Sequence, residues 1–269
     1  MISQLKKIQS IQLEIAKEFI RICDKFNLQY FLVGGSLLGA VRHKGFIPWD
    51  DDLDLGMLRD DYKKFIKCCN NELNQKFYLH CHVTDSKYWL PFAKLKKKNT
   101  FFDENAIKNL QTNKGIYIDI FPLDYVGDTN ELKVKIQAKC IKYLGTVILL
   151  KRGINLPNAS KLRYKLLHII FKPFSIKILA KIQEKIMSIS NKTKPTYLVS
   201  FGSHYGYKKE TMPIDKYFPL TELEFGDIKF NVPKDYDFVL SKLFGDYMTL
   251  PPIELRGGHH CIEVKFNID

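Results

Sequence analysis

Residues 50–55 read Asp-Asp-Asp-Leu-Asp-Leu, and few six-residue stretches restrict a fold as sharply. Side chains two apart on a strand share a face, so the alternation sets Asp52 and Asp54 side by side while Leu53 and Leu55 turn into a core. Two carboxylates held that close repel each other unless a cation lies between them. Oxygen ligands of this kind suit Mg²⁺ or Mn²⁺, and Mg²⁺ is typically held by one or two carboxylates together with substrate phosphates. The chain must therefore build a strand with one face in the core and the other open to a metal and phosphates. That is what a metal-dependent phosphoryl-type transferase requires.

The residues just upstream fit this reading. Tyr30–Val33 is a short apolar run expected as a buried strand, Gly34-Gly35-Ser36 a turn, and Leu37–Arg42 a short helix opening from it. Backbone N–H groups at such a helix start, with no Cβ in the way, make a phosphate cradle. A glycine pair before a helix more often only turns the chain, and its weight here comes from the aspartates that follow. Arg42 and Lys44 precede the acidic run, placed either to balance a nucleotide's phosphate charge or to form plain ion pairs. Trp49 is either a ring that stacks on a base or, as is commoner for an aromatic entering a strand, part of the core.

A third carboxylate comes from Gly115–Leu123, GIYIDIFPL, where Ile116, Ile118 and Ile120 alternate with Tyr117, Asp119 and Phe121. An aspartate inside so apolar a strand is costly to bury without a partner. A metal already held by Asp52 and Asp54 would be one; a neighbouring loop to cap would be another. Asp124, just past Pro122, reads as a cap or turn residue. Phe77–Thr84 and Tyr88–Leu95 have the alternating, aromatic character of a hairpin, and Lys94 within the second strand is set to point at something specific. His80-Cys81-His82 has zinc-ligand chemistry, but alternate strand residues do not all face one way. None of the six cysteines falls in a CxxC pair, so most are expected as small buried hydrophobes.

Helical periodicity is expected over Leu5–Phe26, Arg59–Asn70, Leu132–Leu150, Leu162–Met187 with a break at Pro173, and Tyr236–Phe244 ended by Gly245. Tyr197–Tyr207 and Phe218–Val232 read as short strands and loops, the latter with a hairpin at Gly226-Asp227. The fold class is mixed α+β: a mixed sheet flanked by helices, in one catalytic domain spanning 1–269 with a basic helical insertion at 130–215. Its net charge of +13 is concentrated there. Residues 131–216 hold 18 Lys/Arg against 4 Asp/Glu, and the rest of the chain 24 against 25. That surface either faces phosphates or anionic lipid or is a set of lysine-rich helices packed on the domain, the packing reading being slightly favoured. The first ten residues are polar and resemble no signal peptide. The chain is expected in the cytoplasm, free or peripheral at the inner face of the membrane.

The segment GGSLLGAVRHKGFIPWDDDLDLGM resembles the signature of the LicD family, whose namesakes transfer phosphocholine onto bacterial surface glycans. YIDIFPLD at Tyr117–Asp124, FGDYMTLPP at Phe244–Pro252 and PFAKL before Thr100 agree with it. The resemblance spans about 5–125 and 240–260 and leaves the basic middle unmatched. It implies a nucleotidyltransferase-like fold with Gly34, Gly35 and Ser36 as the glycine-serine motif and Asp52, Asp54 and Asp119 as catalytic metal carboxylates. Asp50 shares their parity and is held in reserve, whereas Asp51 has the wrong parity.

The resemblance further implies a CDP-alcohol donor such as CDP-choline, a glycan acceptor that is free or lipid-linked, and release of CMP. Ribitol-phosphate-transferring relatives leave the alcohol open. Arg42, Lys44 and Lys94 would balance phosphate charge, and His259 or His260 would orient acceptor or phosphate. No nucleic acid is expected. The rival readings are a nucleotidyltransferase acting on RNA or a small molecule and a catalytically inactive glycan- or nucleotide-binding protein.

Overall fold

The computed structural model describes residues 2–154, 166–167, 169–257 and 261–266. Helix α1 (Ile2–Phe26) buries one stripe, Ile8, Ile15, Phe19 and Ile22, and leaves its polar residues to water. Strand β1 (Phe31–Leu32), helix α2 (Gly34–His43), β2 (Asp54–Leu58) and helix α3 (Arg59–Glu72) follow, then β3 (Phe77–His80), β4 (Ala93–Lys97), β5 (Phe101–Glu104) and β6 (Tyr117–Val126). The basic middle supplies α4 (Leu132–Arg152) and α5 (Ile176–Met187). After it come β7 (Tyr197–Val199), β8 (Met212–Pro213), the hairpin β9 (Thr221–Phe225) and β10 (Ile228–Val232), α6 (Tyr236–Phe244) and β11 (Cys261–Lys265).

The main sheet runs β1-β2-β6-β4-β3, and the C-terminal part of β6 also carries β7 and, beyond it, β8. β2 and β6 are parallel and the other pairs antiparallel, so the mixed α+β class holds. β6 takes the centre because its apolar alternation suits a strand paired on both edges; Ile116, Ile118 and Ile120 are fully buried. Gly56 sits where a Cβ would come within 2.7 Å of Val33 and 2.9 Å of Leu123, so only glycine lets those side chains close over β2. Helices α1 and α3 pack on each other and against the sheet. α4 and α5 form a smaller core of their own, in which Leu144, Val147, Ile148 and Leu179 meet Trp89 and Ile107.

Several local expectations change. Gly34-Gly35-Ser36 is the first turn of α2 itself, because the Leu37 amide already closes on the Val33 carbonyl at 3.2 Å. Asp52 lies before β2 rather than on it. The pairing nevertheless reaches that far, since the Asp119 amide donates to the Leu53 carbonyl at 2.9 Å. The first hairpin strand stops at His80, where the Thr84 hydroxyl donates to the Leu79 carbonyl and accepts from the Cys81 amide, building a turn instead. Its partner does not begin until Ala93, since Pro91 has no N–H for a ladder.

Asp124 is no cap. β6 continues to Val126 because β7 pairs with it, and Asp124 is wholly buried, accepting from Arg59 Nε at 2.9 Å and Asn191 Nδ2 at 2.8 Å. His80 and His82 turn to different carboxylates, Asp85 at 3.0 Å and Glu184 at 3.1 Å, so they converge on no metal. Cys23, Cys69 and Cys81 are buried thiols, Cys68 is half-buried and Cys140 exposed. The chain is interrupted around Pro173 as expected, with Ser175 capping α5; Leu162–Lys165 of that segment lies outside the described residues. The Gly226-Asp227 hairpin and α6 with its Gly245 end hold. No helix among the described residues is long and apolar enough to cross a membrane.

Candidate active site

Strand register builds the site. Asp54 on β2 is the partner of Asp119 on β6, Asp119 of Lys94 on β4, and Lys94 of His80 on β3. Paired residues on adjacent strands project to the same face, so two carboxylates and an ammonium group form one row across the sheet. Lys94 Nζ lies 3.0 Å from Asp119 Oδ1 and 3.2 Å from Oδ2, and 3.2 Å from the centre of the Tyr117 ring. Asp52, just ahead of β2, lines the same cavity as Asp119 and Lys94.

The acidic loop before β2 is held from behind by α1. Gln9 Nε2 donates to the Asp50 carbonyl at 2.8 Å, and the buried Gln12 Nε2 to the carbonyls of Asp51 at 2.6 Å and Tyr117 at 3.2 Å. With the backbone so fixed, Asp50, Asp51 and Asp52 each bring a carboxylate oxygen within 4.8 Å of the others. The parity that would turn Asp51 away does not apply, since these residues are not in a strand. Asp51 is buried, and its Oδ1 has no hydrogen-bond partner. A hard cation supplies what such an oxygen lacks, so the donor set fits Mg²⁺ or Mn²⁺.

Electrostatics agree. Burial pushes Asp52, Asp54 and Asp119 above the usual carboxylate range; Asp119 then adds to the shift of Asp52, and Asp52 to that of Asp54. Lys94 opposes the rise at Asp119. Such a cluster is strained when ionised and relieved by positive charge.

Helix α2 opens onto these carboxylates. Gly34 has φ of +54°, and a Cβ there would sit 3.5 Å from Asp54 Oδ2; one on Gly35 would sit 3.2 Å from Asp50 Oδ2. Ser36 Oγ accepts from the Asp54 amide at 2.8 Å, so the glycine-serine motif sets the height of β2 against the helix. Lys94 is in the row as expected. Arg42 instead donates to the Tyr247 carbonyl at 2.6 Å, tying the GDYMTL segment to α2. Lys44 lines a separate groove of about 720 Å³ with Thr221, Glu224 and Tyr236. Trp49 is half-buried against the core, edge-on to His43 and 5.2 Å below the Arg256 guanidinium. His259 and His260 lie outside the described residues.

A cavity of about 240 Å³ opens beside Asp52 and Asp119, walled by Tyr88, Trp89, Phe92 and Tyr117 with Lys96 and Glu104. Tyr117 donates its hydroxyl to Glu104 at 2.6 Å, and burial draws Lys96 down to about 7. The sequence carried one signal for it: Lys94 and Lys96 alternate opposite Asp119 and Tyr117. Tyr88, Trp89 and the α1 glutamines gave none.

A family model described as LicD/FKTN/FKRP, nucleotidyltransferase domain, matches residues 27–143, a span holding every carboxylate of the site. Lipopolysaccharide cholinephosphotransferase LicD of Haemophilus influenzae is 30% identical over 272 residues, covering 96% of this chain and 97% of that protein. The chain belongs to the LicD family. It stands among LicD/FKRP-type phosphotransferases, and the alignment runs through the basic middle that the motifs leave unmatched. A second LicD-family similarity is local: human ribitol 5-phosphate transferase FKRP is 46% identical over 48 residues, 18% of this chain and 10% of that one. An uncharacterized protein of Rickettsia typhi is 32% identical over 147 residues, 48% of this chain and 47% of that one.

Proposed function

We propose that this protein moves phosphocholine, or a related alcohol-phosphate, from a CDP-activated donor to a hydroxyl of a cell-surface glycan, using Mg²⁺ or Mn²⁺ and releasing CMP. The observation that carries the reading is the row Asp54–Asp119–Lys94, with Asp52, Asp119 and Lys94 lining an aromatic cavity. The length-wide similarity to a lipopolysaccharide cholinephosphotransferase supports the choice of donor and acceptor class.

The carboxylates of Asp52, Asp54 and Asp119, with Asp50 and Asp51 in support, would hold the metal. When bound, it stabilises charge on the entering and leaving oxygens of a phosphoryl displacement. The protein's own part is positioning and proton transfer. The N–H groups of the first α2 turn face the diphosphate, and Lys94 offsets charge as it shifts to the leaving phosphate. Tyr88, Trp89 and Phe92 exclude water from one side of the donor. As the acceptor oxygen bonds to the phosphorus bearing the alcohol, the bond to the CMP oxygen breaks and CMP keeps the electron pair. The hydroxyl proton passes to Asp119, whose carboxylate borders the cavity. The protein sits in the cytoplasm.

Incubation with Mg²⁺ and a panel of CDP-alcohols, with and without a choline-free glycan acceptor, tests the reading. CMP release that depends on both metal and acceptor is expected. Pyrophosphate as product from a nucleoside triphosphate, or no turnover with any CDP-alcohol, would overturn it.

A further inference from the structure

We propose that the outward face of α5 docks this protein on the surface of an anionic lipid bilayer. The helix buries Leu179, Gln183 and Met187 against α4, and at 100° per residue that fixes what faces away. Lys177, Lys181 and Lys185 form one exposed stripe. Ile178 and Ile182 form a second along its flank, 46% and 38% exposed, and Ile189, two residues past the helix end, is 67% exposed. Phe174 and Lys172, in the turn ahead of the helix, are exposed as well. Gln137 of α4 donates to the carbonyls of Ile186 and Met187, bringing the start of α4 to the Ile189 end, where Leu132, Ile136, Lys133 and Lys135 are also exposed.

Single exposed apolar residues are ordinary, but a contiguous set is not. On α5 it is paired with charge of a single sign, whereas Lys133 on α4 meets Glu131 at 2.8 Å. Among the described residues from 166 to 194 the only acid is Glu184, and it turns inward to Lys63 and His82. The two stripes side by side meet the requirement of an interfacial helix: isoleucines enter the acyl boundary while lysine stems lie along it with their ammonium groups at the headgroups. A second copy of the chain would bring like lysines together. A nucleic acid would engage the lysines and leave the isoleucines in water. Anionic lipid satisfies both stripes.

Sedimentation of the full chain with phosphatidylglycerol/phosphatidylcholine vesicles and with pure phosphatidylcholine vesicles tests the proposal. The wild type should partition onto the anionic vesicles and far less onto the neutral ones. A Lys177→Gln, Lys181→Gln, Lys185→Gln variant should lose about 100-fold in partitioning, and an Ile178→Ser, Ile182→Ser variant on the order of tenfold or more. Both should keep the wild-type thermal unfolding midpoint, since the residues changed are exposed. Three outcomes would overturn it: no wild-type binding, isoleucine variants that bind as the wild type does, or a wild-type dimer in gel filtration that the isoleucine variant makes monomeric. Vesicle binding is read without donor or acceptor, so its failure is separate from any failure of the transferase reading.

Discussion

The sheet between Phe31 and Val126 and the helical pair between Leu132 and Met187 handle charge in opposite ways. In the first, Arg59 at the start of α3 meets Asp124 on β6, and Lys94 meets Asp119 across β4 and β6, each pair inside the protein and the second fixed by strand register. The helical pair sends its cations outward and keeps Val147, Ile148 and Leu179 for its interior. A charge inside must be answered by a partner at one position, so the sheet is intolerant of change. A charge outside is answered by water or by whatever lies there, and the helices can be altered at little structural cost.

Substitutions can sharpen that contrast. The largest effect is expected at the carboxylates. Asp54→Asn should lower metal-dependent CMP release by about 10³-fold while raising the unfolding midpoint measured in chelator, because it removes one member of a self-repelling cluster. A variant that is inactive and also less stable would mean that the cluster is structural. Next comes the buried ion pair. Arg59→Ala leaves Asp124 charged in the interior with only Asn191 beside it, and should cost about 3–5 kcal/mol in urea unfolding.

Gly56→Ala should follow at about 1–3 kcal/mol, since Val33 and Leu123 already fill the place of a Cβ. The smallest effect belongs to the contact between the two regions. The hydrogen bond from His82, aided by Arg59 and Lys63, holds Glu184 down at about 2 despite its partial burial. A depressed carboxylate adds stability above its ordinary 4.5 and loses it as the pH falls through its folded value. Glu184→Gln should therefore be about 1–2 kcal/mol less stable than wild type at pH 7, with the two unfolding curves converging near pH 2–3. An unchanged gap at low pH would remove the ion pair as its cause.

Local pattern made much of this legible in the sequence. The α1 stripe, the alternation around Asp119, the Gly226-Asp227 turn and the α6 stop at Gly245 each depend on residues close together in the chain. The shared face of Asp54 and Asp119 could be anticipated because each lies in an alternating run with an apolar neighbour on either side. What stayed hidden depends on contacts between residues far apart in the chain. Nothing near Asp124 announces Arg59, 65 positions away, so an interior ion pair looked like a turn residue. Nothing near the acidic run announces that α1 will reach it, which is why the parity argument discarded Asp51. The aromatic wall escaped for a related reason: Tyr88–Phe92 was expected to extend a strand, and Pro91 instead makes it a loop folded over the cavity.

Gln12 has a consequence beyond its own two hydrogen bonds. Its single amide nitrogen spans from the loop that carries Asp50, Asp51 and Asp52 to the strand that carries Asp119. The gap between those two sets of oxygens is thus gauged by a neutral, buried side chain on the N-terminal helix. Small cations demand short, nearly fixed ligand distances, while larger ones tolerate slack. On the proposed metal-dependent reading, the calibre of the ion held there would be set partly by α1, and Gln12 is where an exchange of one metal for another would begin.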